Sequence, residues 1–218
     1  MKVKLSSITM PMSVDGIGTA LTPEQYITYI ARISNPSNQK NVDTSEKLIK
    51  YLIKHKHWSP FEFVDVTFYI ETRRSISAQI IRHRSFVFQE FSLRYSSTTK
   101  VDDIELRRQS EKNRQSSSDV IDNSELKNDI DEHNKKSIEL YEKLLKNNVA
   151  REVARDVLPL STGTQLFMKG SIRSWIHYIQ VRTEDGTQKE HREIAEEIKK
   201  IFISQFPIIS SALGWTNG

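Results

Sequence analysis

The sequence predicts an α+β fold, dominated by helix, with a small and mainly antiparallel sheet. Three observations carry that reading. Thr22-Pro23-Glu24-Gln25 is a complete helix start, with a threonine to cap, a proline at the first helical position and a glutamine three residues after the cap. Val64, Val66, Phe68 and Ile70 alternate with Phe63, Asp65, Thr67 and Tyr69, the period of a strand with one buried face. Ile172, Trp175, Ile176 and Ile179 recur at i, i+3, i+4 and i+7, the stripe of a helix packed on a core.

The elements follow in order. Residues 2–10 read as a first strand. The capped helix runs from Thr22 to about residue 34, with Tyr26, Ile27, Ile30 and Ile33 on one side, and Asn35-Pro36-Ser37-Asn38 breaks it. A second helix begins near Asp43 or Thr44, carries Leu48, Ile49, Leu52 and Ile53 inward, and ends in Lys54-His55-Lys56-His57, which suits the negative end of its dipole. After the strand at 63–70, Thr72 is placed to cap a helix over roughly 73–83. Residues 85–95 are aromatic and show no clear period, and 96–124 are polar, the mark of a surface loop or excursion. A helix over about 125–146 has a patchy apolar face of Ile130, Ile138, Tyr141, Leu144 and Leu145. A short helix at 150–157 is stopped by Leu158-Pro159, and 164–169 suits another short strand. Ser171 caps the striped helix, which reaches Arg182, and a last helix over about 188–206 turns Ile194, Ile198, Ile201 and Phe202 inward. No repeat or linker divides the chain, so residues 1–218 are expected to form one domain.

Composition narrows the function. The 218 residues carry 32 Lys and Arg against 28 Asp and Glu, a net charge of +4 that fits local anion sites more than the coating of a nucleic acid. Cysteine is absent, which excludes disulfides, Cys-ligated zinc, iron–sulfur clusters and a cysteine nucleophile. With 7 glycines and no GxGxxG or GxxxxGK[ST], neither a Rossmann turn nor a P-loop is available. No run of about 18 apolar residues and no signal-peptide pattern occurs, so a cytoplasmic protein without a membrane partner is expected. His55 and His57 lack a third ligand at metal-site spacing, so no metal is expected.

The densest chemistry is Arg82-His83-Arg84. It follows Ile80-Ile81, so it emerges from a buried helix and not from a charged run, where it would read as a solvated helix end. Gln79, Arg82 and His83 share one helical face. Beyond them Gln89, Glu90, Ser92 and Arg94 are interleaved with aromatic and apolar residues, a mixture suited to stacking a planar ring and gripping a phosphate. Taken alone, Glu152 and Arg155 are an i, i+3 helix pair, Arg173 and Arg182 are surface charges, and Trp58 and Trp175 are core.

Arg82-His83-Arg84, followed after seven residues by Ser92, resembles the signature of flavin-dependent thymidylate synthases, and Ser92-Leu93-Arg94-Tyr95 continues the likeness. His57-Trp58-Ser59-Pro60-Phe61-Glu62 is similar to the family's H-x-[ST]-P-F-E segment. Arg151-Glu152-Val153-Ala154-Arg155, with Leu158-Pro159, is similar to its RExAR…LP segment, and Arg173, Trp175 and Arg182 fall where its C-terminal site helix lies. The resemblance implies reductive methylation of dUMP to dTMP, a step of nucleotide biosynthesis. Methylenetetrahydrofolate would donate the carbon and NADPH-reduced FAD the hydride, in a homotetramer whose sites form between subunits. FAD would lie against Arg82, His83, Arg84, Ser171, Ile172, Arg173 and His177, with Ser59 reaching it from a neighbour, Glu90 between flavin and nucleotide, and Ser34 nearby. Gln79, Arg82, Ser92, Arg94 and Arg155 would hold dUMP, with backbone groups of Phe91 and Leu93 at the phosphate and Arg182, the catalytic candidate, at the pyrimidine edge. The chain departs from the family where many members have Asn, at Ser171 and His177, and where many read His-Ala-Gln, at Gly186-Thr187-Gln188. Two other readings stand beside this one: a nucleic-acid module built on residues 82–94, marked by steep salt dependence, and a flavoprotein that oxidises NADPH without methyl transfer.

Overall fold

The computed structural model describes residues 1–12, 17 and 20–215. Strand β1 (Lys2–Ile8) precedes helix α1 (Pro23–Ala31), which opens on the expected box: the Thr22 hydroxyl accepts from the Gln25 amide, and the Gln25 side chain accepts from the Thr22 N–H. The helix ends short of residue 34 because Arg32 leaves the axis and donates to the Asn41 carbonyl and the Thr44 hydroxyl. Ile33, expected inward, is therefore 68% exposed. Helix α2 (Ser45–Lys54) buries Ile49 and Leu52.

Strand β2 (Asp65–Arg73) alternates buried and half-buried residues along its whole length. It outruns the apolar alternation because Glu71, Thr72 and Arg73 pair with Gln165, Thr164 and Gly163. Thr72 is thus a buried strand residue and not a cap. Helix α3 (Arg74–Ile80) starts without a side-chain cap; the Arg74 and Ser75 amides donate instead to the Thr162 and Leu160 carbonyls. The aromatic stretch that showed no period contains strand β3 (Val87–Glu90). The polar excursion folds into a hairpin, β4 (Arg107–Gln109) and β5 (Ser117–Val120).

Helix α4 (Ser124–Lys146) is capped by Asn123 and fully buries Tyr141 alone of its five expected apolar contacts. Helix α5 (Arg151–Ala154) runs into a 3₁₀ turn, Arg155–Val157, before Leu158-Pro159 stops it. Strand β6 (Gly163–Ser171) leads into helix α6 (Ile172–Arg182), capped by the Ser171 hydroxyl as predicted. Helix α7 (Lys189–Gln205) is followed by a short helix the periodicity did not predict, α8 (Pro207–Ala212). The Glu24 carboxylate accepts from the Ile209 amide at 2.8 Å, satisfying the start of α8 from across the molecule.

The main sheet has the order β1-β2-β6-β3, antiparallel throughout. One face, with Val66, Phe68, Ile70, Leu166 and Met168, is buried beneath α6 and α7. The other, with Tyr69, Gln165, Phe167 and Lys169, is partly or largely open. Trp175 links helix to sheet: its indole N–H donates to the Val66 carbonyl at 3.0 Å, and its ring meets Phe68 and Phe86 edge-on at 4.8 and 4.6 Å. No described helix is long and apolar enough to cross a membrane.

Gly170 lets Phe86 lie against β6. A Cβ there would stand 2.5 Å from the Phe86 ring. Gly170→Ala is expected to cost about 1–3 kcal/mol by overpacking, and to lower the melting temperature by about 2–4 °C per kcal/mol in a chain of this size. An unchanged melting temperature would contradict the packing described.

Candidate active site

Helix α3 turns Ile76, Ser77 and Ile80 into the core and so presents Gln79 on its flank. The helix ends at Ile81, and the His83 amide closes the last turn on the Ile80 carbonyl. His83 is thereby placed against Tyr178, ring centroids 4.9 Å apart, and meets the far end of α6. There Arg182 donates its Nε–H to His83 Nε2 at 2.8 Å. Burial, then the Arg182 and His177 charges, push the His83 pKa down to about 4. The imidazole is therefore neutral, with its proton on Nδ1, and acts as an acceptor that aims the guanidinium.

His191 lies behind this pair, fully buried, and the motifs do not point to it. The sequence holds a signal for it all the same: position 191 is three, four and seven residues before Ile194, Ala195 and Ile198, on the buried stripe of α7. Tyr178 O–H donates to His191 Nε2 at 3.0 Å, and His191 Nδ1–H points to Gln79 Oε1 at 3.4 Å. Gln79 Nε2 donates to Gln188 at 2.7 Å, Gln188 donates to Glu190 at 2.9 Å, and Glu190 accepts from Arg73 and Arg107, each at 2.7 Å. Every donor points the same way along this chain from Tyr178 to Glu190, so the Gln79 amide has one orientation. Burial, with the Arg182 charge next, pushes His191 down to about 3.

A second wall is built where the end of β3 pairs with β6. Glu90 Oε1, at the end of β3, accepts from the Ser77 hydroxyl at 2.6 Å, the Thr164 hydroxyl at 2.9 Å and the Arg74 guanidinium at 3.1 Å. Beside it, on the open face, a cleft of about 400 Å³ is bordered by Tyr69, Gln89, Phe91, Ser92 and Phe167, with Glu90 at its edge. Arg94 and Arg155 meet at Glu152: Arg94 pairs with its carboxylate at 3.1 Å and Arg155 bonds its carbonyl at 3.3 Å.

The third wall is a cleft of about 560 Å³ bordered by Trp58, Glu62, Ser85, Arg173, His177 and Gln180. Arg173 pairs with Glu62 at 3.0 Å, and the Ser171 hydroxyl donates to the same carboxylate. Some expected contacts need correction. Ile172 is fully buried and its amide is bonded to the Val64 carbonyl, so its side chain belongs to the core. Ser171 is only 7% exposed and is engaged in capping α6. Both backbone groups of Phe91 are taken, the amide by the Gln165 carbonyl and the carbonyl by Arg74. Ser59, Arg82, Arg84 and Ser92 are exposed, and Ser34 shares a separate cleft with His57.

The chain resembles known proteins along most of its length. Residues 17–208 match the family model described as thymidylate synthase complementing protein. A flavin-dependent thymidylate synthase from Synechocystis sp. is 50% identical over 218 residues, covering 99% of this chain and all of the relative. A protein of Paramecium bursaria Chlorella virus 1, named "Probable flavin-dependent thymidylate synthase", is 48% identical over 219 residues with 99% and 100% covered. The fold is similar to that of the UMP/dUMP methylase PolB from Streptomyces cacaoi, solved with 5-Br dUMP, with a TM-score of 0.82, 23% identity, and 98% of this chain and 94% of that one covered.

The two histidines give the site a pH signature. An unfolded chain protonates them near 6.5, but the folded chain resists until about 4 and 3. The unfolded state therefore binds more protons in that window, and folding stability falls as pH drops from about 6.5 toward 4. Glu24, pushed up to about 7 by burial, acts in the opposite sense as pH changes, so the readout is the difference between variant and parent. His191→Gln is expected to flatten the acid side of a melting-temperature profile; an unaltered slope would show that His191 is not held neutral.

Proposed function

The chain belongs to the family of flavin-dependent thymidylate synthases, and on that premise we propose that it converts dUMP to dTMP, with 5,10-methylenetetrahydrofolate as carbon donor and NADPH-reduced FAD as hydride source. The observation that carries this reading is the contact of Arg182 with His83, 99 positions apart in sequence and both in segments matching the family's pattern. The chain has no cysteine, so no protein thiolate attacks the pyrimidine ring.

The donors present fit a flavin. In the larger cleft the Arg173 cation and the His177 imidazole suit a diphosphate, and Trp58 and Ile176 offer apolar surface to a ring. A reduced flavin held there would supply the hydride that the methyl group requires. The rest is positioning and electrostatics. Arg94 and Arg155, gathered at Glu152, grip the nucleotide phosphate. Gln79, fixed by His191, holds the nucleotide in one orientation. Arg182, aimed by a neutral His83, stabilises negative charge as it develops on the pyrimidine. Glu90, anchored through one oxygen, stands between nucleotide and cofactor. These groups lie on separate walls of one chain, with Arg82, Arg84 and Ser59 exposed at the margins; a homotetramer that sets one wall against another completes the site.

Arg182→Ala is expected to reduce dTMP formation by at least about 10²–10³-fold, the effect of losing one preorganised donor, while the protein stays yellow and folded. Turnover retained in that variant would overturn the role of Arg182. A purified protein that is colourless and cannot be reconstituted with FAD would overturn the reading as a whole.

A further inference from the structure

A cleft of about 340 Å³ separates the β4–β5 hairpin from the turn between α6 and α7. Four cationic side chains border it, Arg107, Arg108, Lys189 and Arg192, against one carboxylate, Asp185. The remaining lining is amide and hydroxyl, with no apolar side chain among the described residues. The cations divide into two sets. Arg107 pairs with Glu105 at 2.9 Å and Glu190 at 2.7 Å, and Lys189 pairs with Glu105 at 2.8 Å. Those pairs pin the hairpin to the start of α7. Arg192 pairs with Asp185 at 3.2 Å and with Glu196 at 3.9 Å, and Arg108 has no ion-pair partner among the described residues. The cleft therefore keeps one cation, Arg108, that no carboxylate of the described residues pairs.

The wall is built and not slack. The Gln109 side-chain amide reaches three carbonyls of the hairpin tip, Ser110 at 3.3 Å, Asn113 at 3.2 Å and Ser116 at 3.0 Å. The cleft also adjoins the nucleotide wall, because Gln188 lines it and accepts from Gln79 at 2.7 Å.

We propose that this cleft is a docking subsite for the anionic tail of a co-substrate, with Arg108 its principal contact and Arg192 its second. The inference rests on the thymidylate synthase reading, since that reaction uses two co-substrates with anionic tails remote from their reactive ends. Folate carries glutamate carboxylates, and NADPH carries phosphates. Either is a chain of oxygen anions that guanidinium groups bind through charge-assisted hydrogen bonds.

The test uses the full-length, flavin-loaded protein and the variants Arg108→Ala, Arg108→Glu and Arg108→Lys. Arg108→Ala is expected to raise the KM for one co-substrate about tenfold, the value of one hydrogen bond to a charged group. The kcat, the dUMP KM and the flavin content should stay at parent values, and Arg108→Lys should recover most of the loss. A larger effect with methylenetetrahydrofolate triglutamate than with the monoglutamate assigns the tail to folate; a larger effect with NADPH than with NADH assigns it to the 2′-phosphate of the nicotinamide nucleotide. Unchanged KM values for both co-substrates in Arg108→Ala and Arg108→Glu would overturn the proposal. If the parent protein forms no dTMP, the functional reading fails by itself. Equilibrium dialysis of the triglutamate and of NADPH against parent and Arg108→Glu then still decides the cleft, with equal binding counting against it.

Discussion

Arg182 points where it does because His83 offers its guanidinium a lone pair and not a proton. At 2.8 Å an imidazolium would set like charges together in a half-buried site, and the side chains would separate. Neutrality is enforced from several directions. Phe86 and Tyr178 remove water from the ring, and His177 and Arg182 raise the local positive potential. Behind it His191 is held neutral in the same way and connects Tyr178 to Gln79. The imidazole within a cluster that looks strongly cationic in sequence is thus uncharged, and it orients the guanidinium of Arg182.

The sheet makes that arrangement possible. β6 pairs with β2 on one side and β3 on the other, and it continues directly into α6. The same strand therefore fixes the end of β3, where Glu90 is anchored, and the start of the helix that delivers Arg173, His177 and Arg182. Gly170 gives Phe86 room against this strand, and Phe86 packs on Trp175 and Tyr178. Core packing and site geometry are one problem here, since Phe86 is three residues from His83.

Much of the fold was legible where local chemistry and burial agree. The Thr22 box, the alternation centred on Val66 and Phe68, and the stripe through Trp175 each have a period that matches one buried face. The elements that stayed hidden lack that contrast. β3 is a four-residue edge strand with Val87 69% exposed, so its alternation carries little apolar signal. The β4–β5 hairpin is polar on both faces and is held by Arg107 and Gln109 through contacts distant or irregular in sequence. In the candidate site, the motif positions named residues without showing what their atoms were already doing. Ile172 and Phe91 fall within matching segments, yet the core and the backbone network occupy the groups expected to meet ligands. His191 showed the reverse: its neighbours are charged, and only its place on the α7 stripe marks it as buried.

The most direct measurement is ¹⁵N and ¹H NMR of the His83 imidazole through a pH titration, in the parent and in Arg182→Ala. The account predicts a neutral ring protonated at Nδ1, with Nε2 as acceptor, that takes a second proton only near pH 4, and a pKa that rises when Arg182 is removed. A His83 that titrates near its ordinary 6.5 in the parent, unmoved by the loss of Arg182, would contradict it.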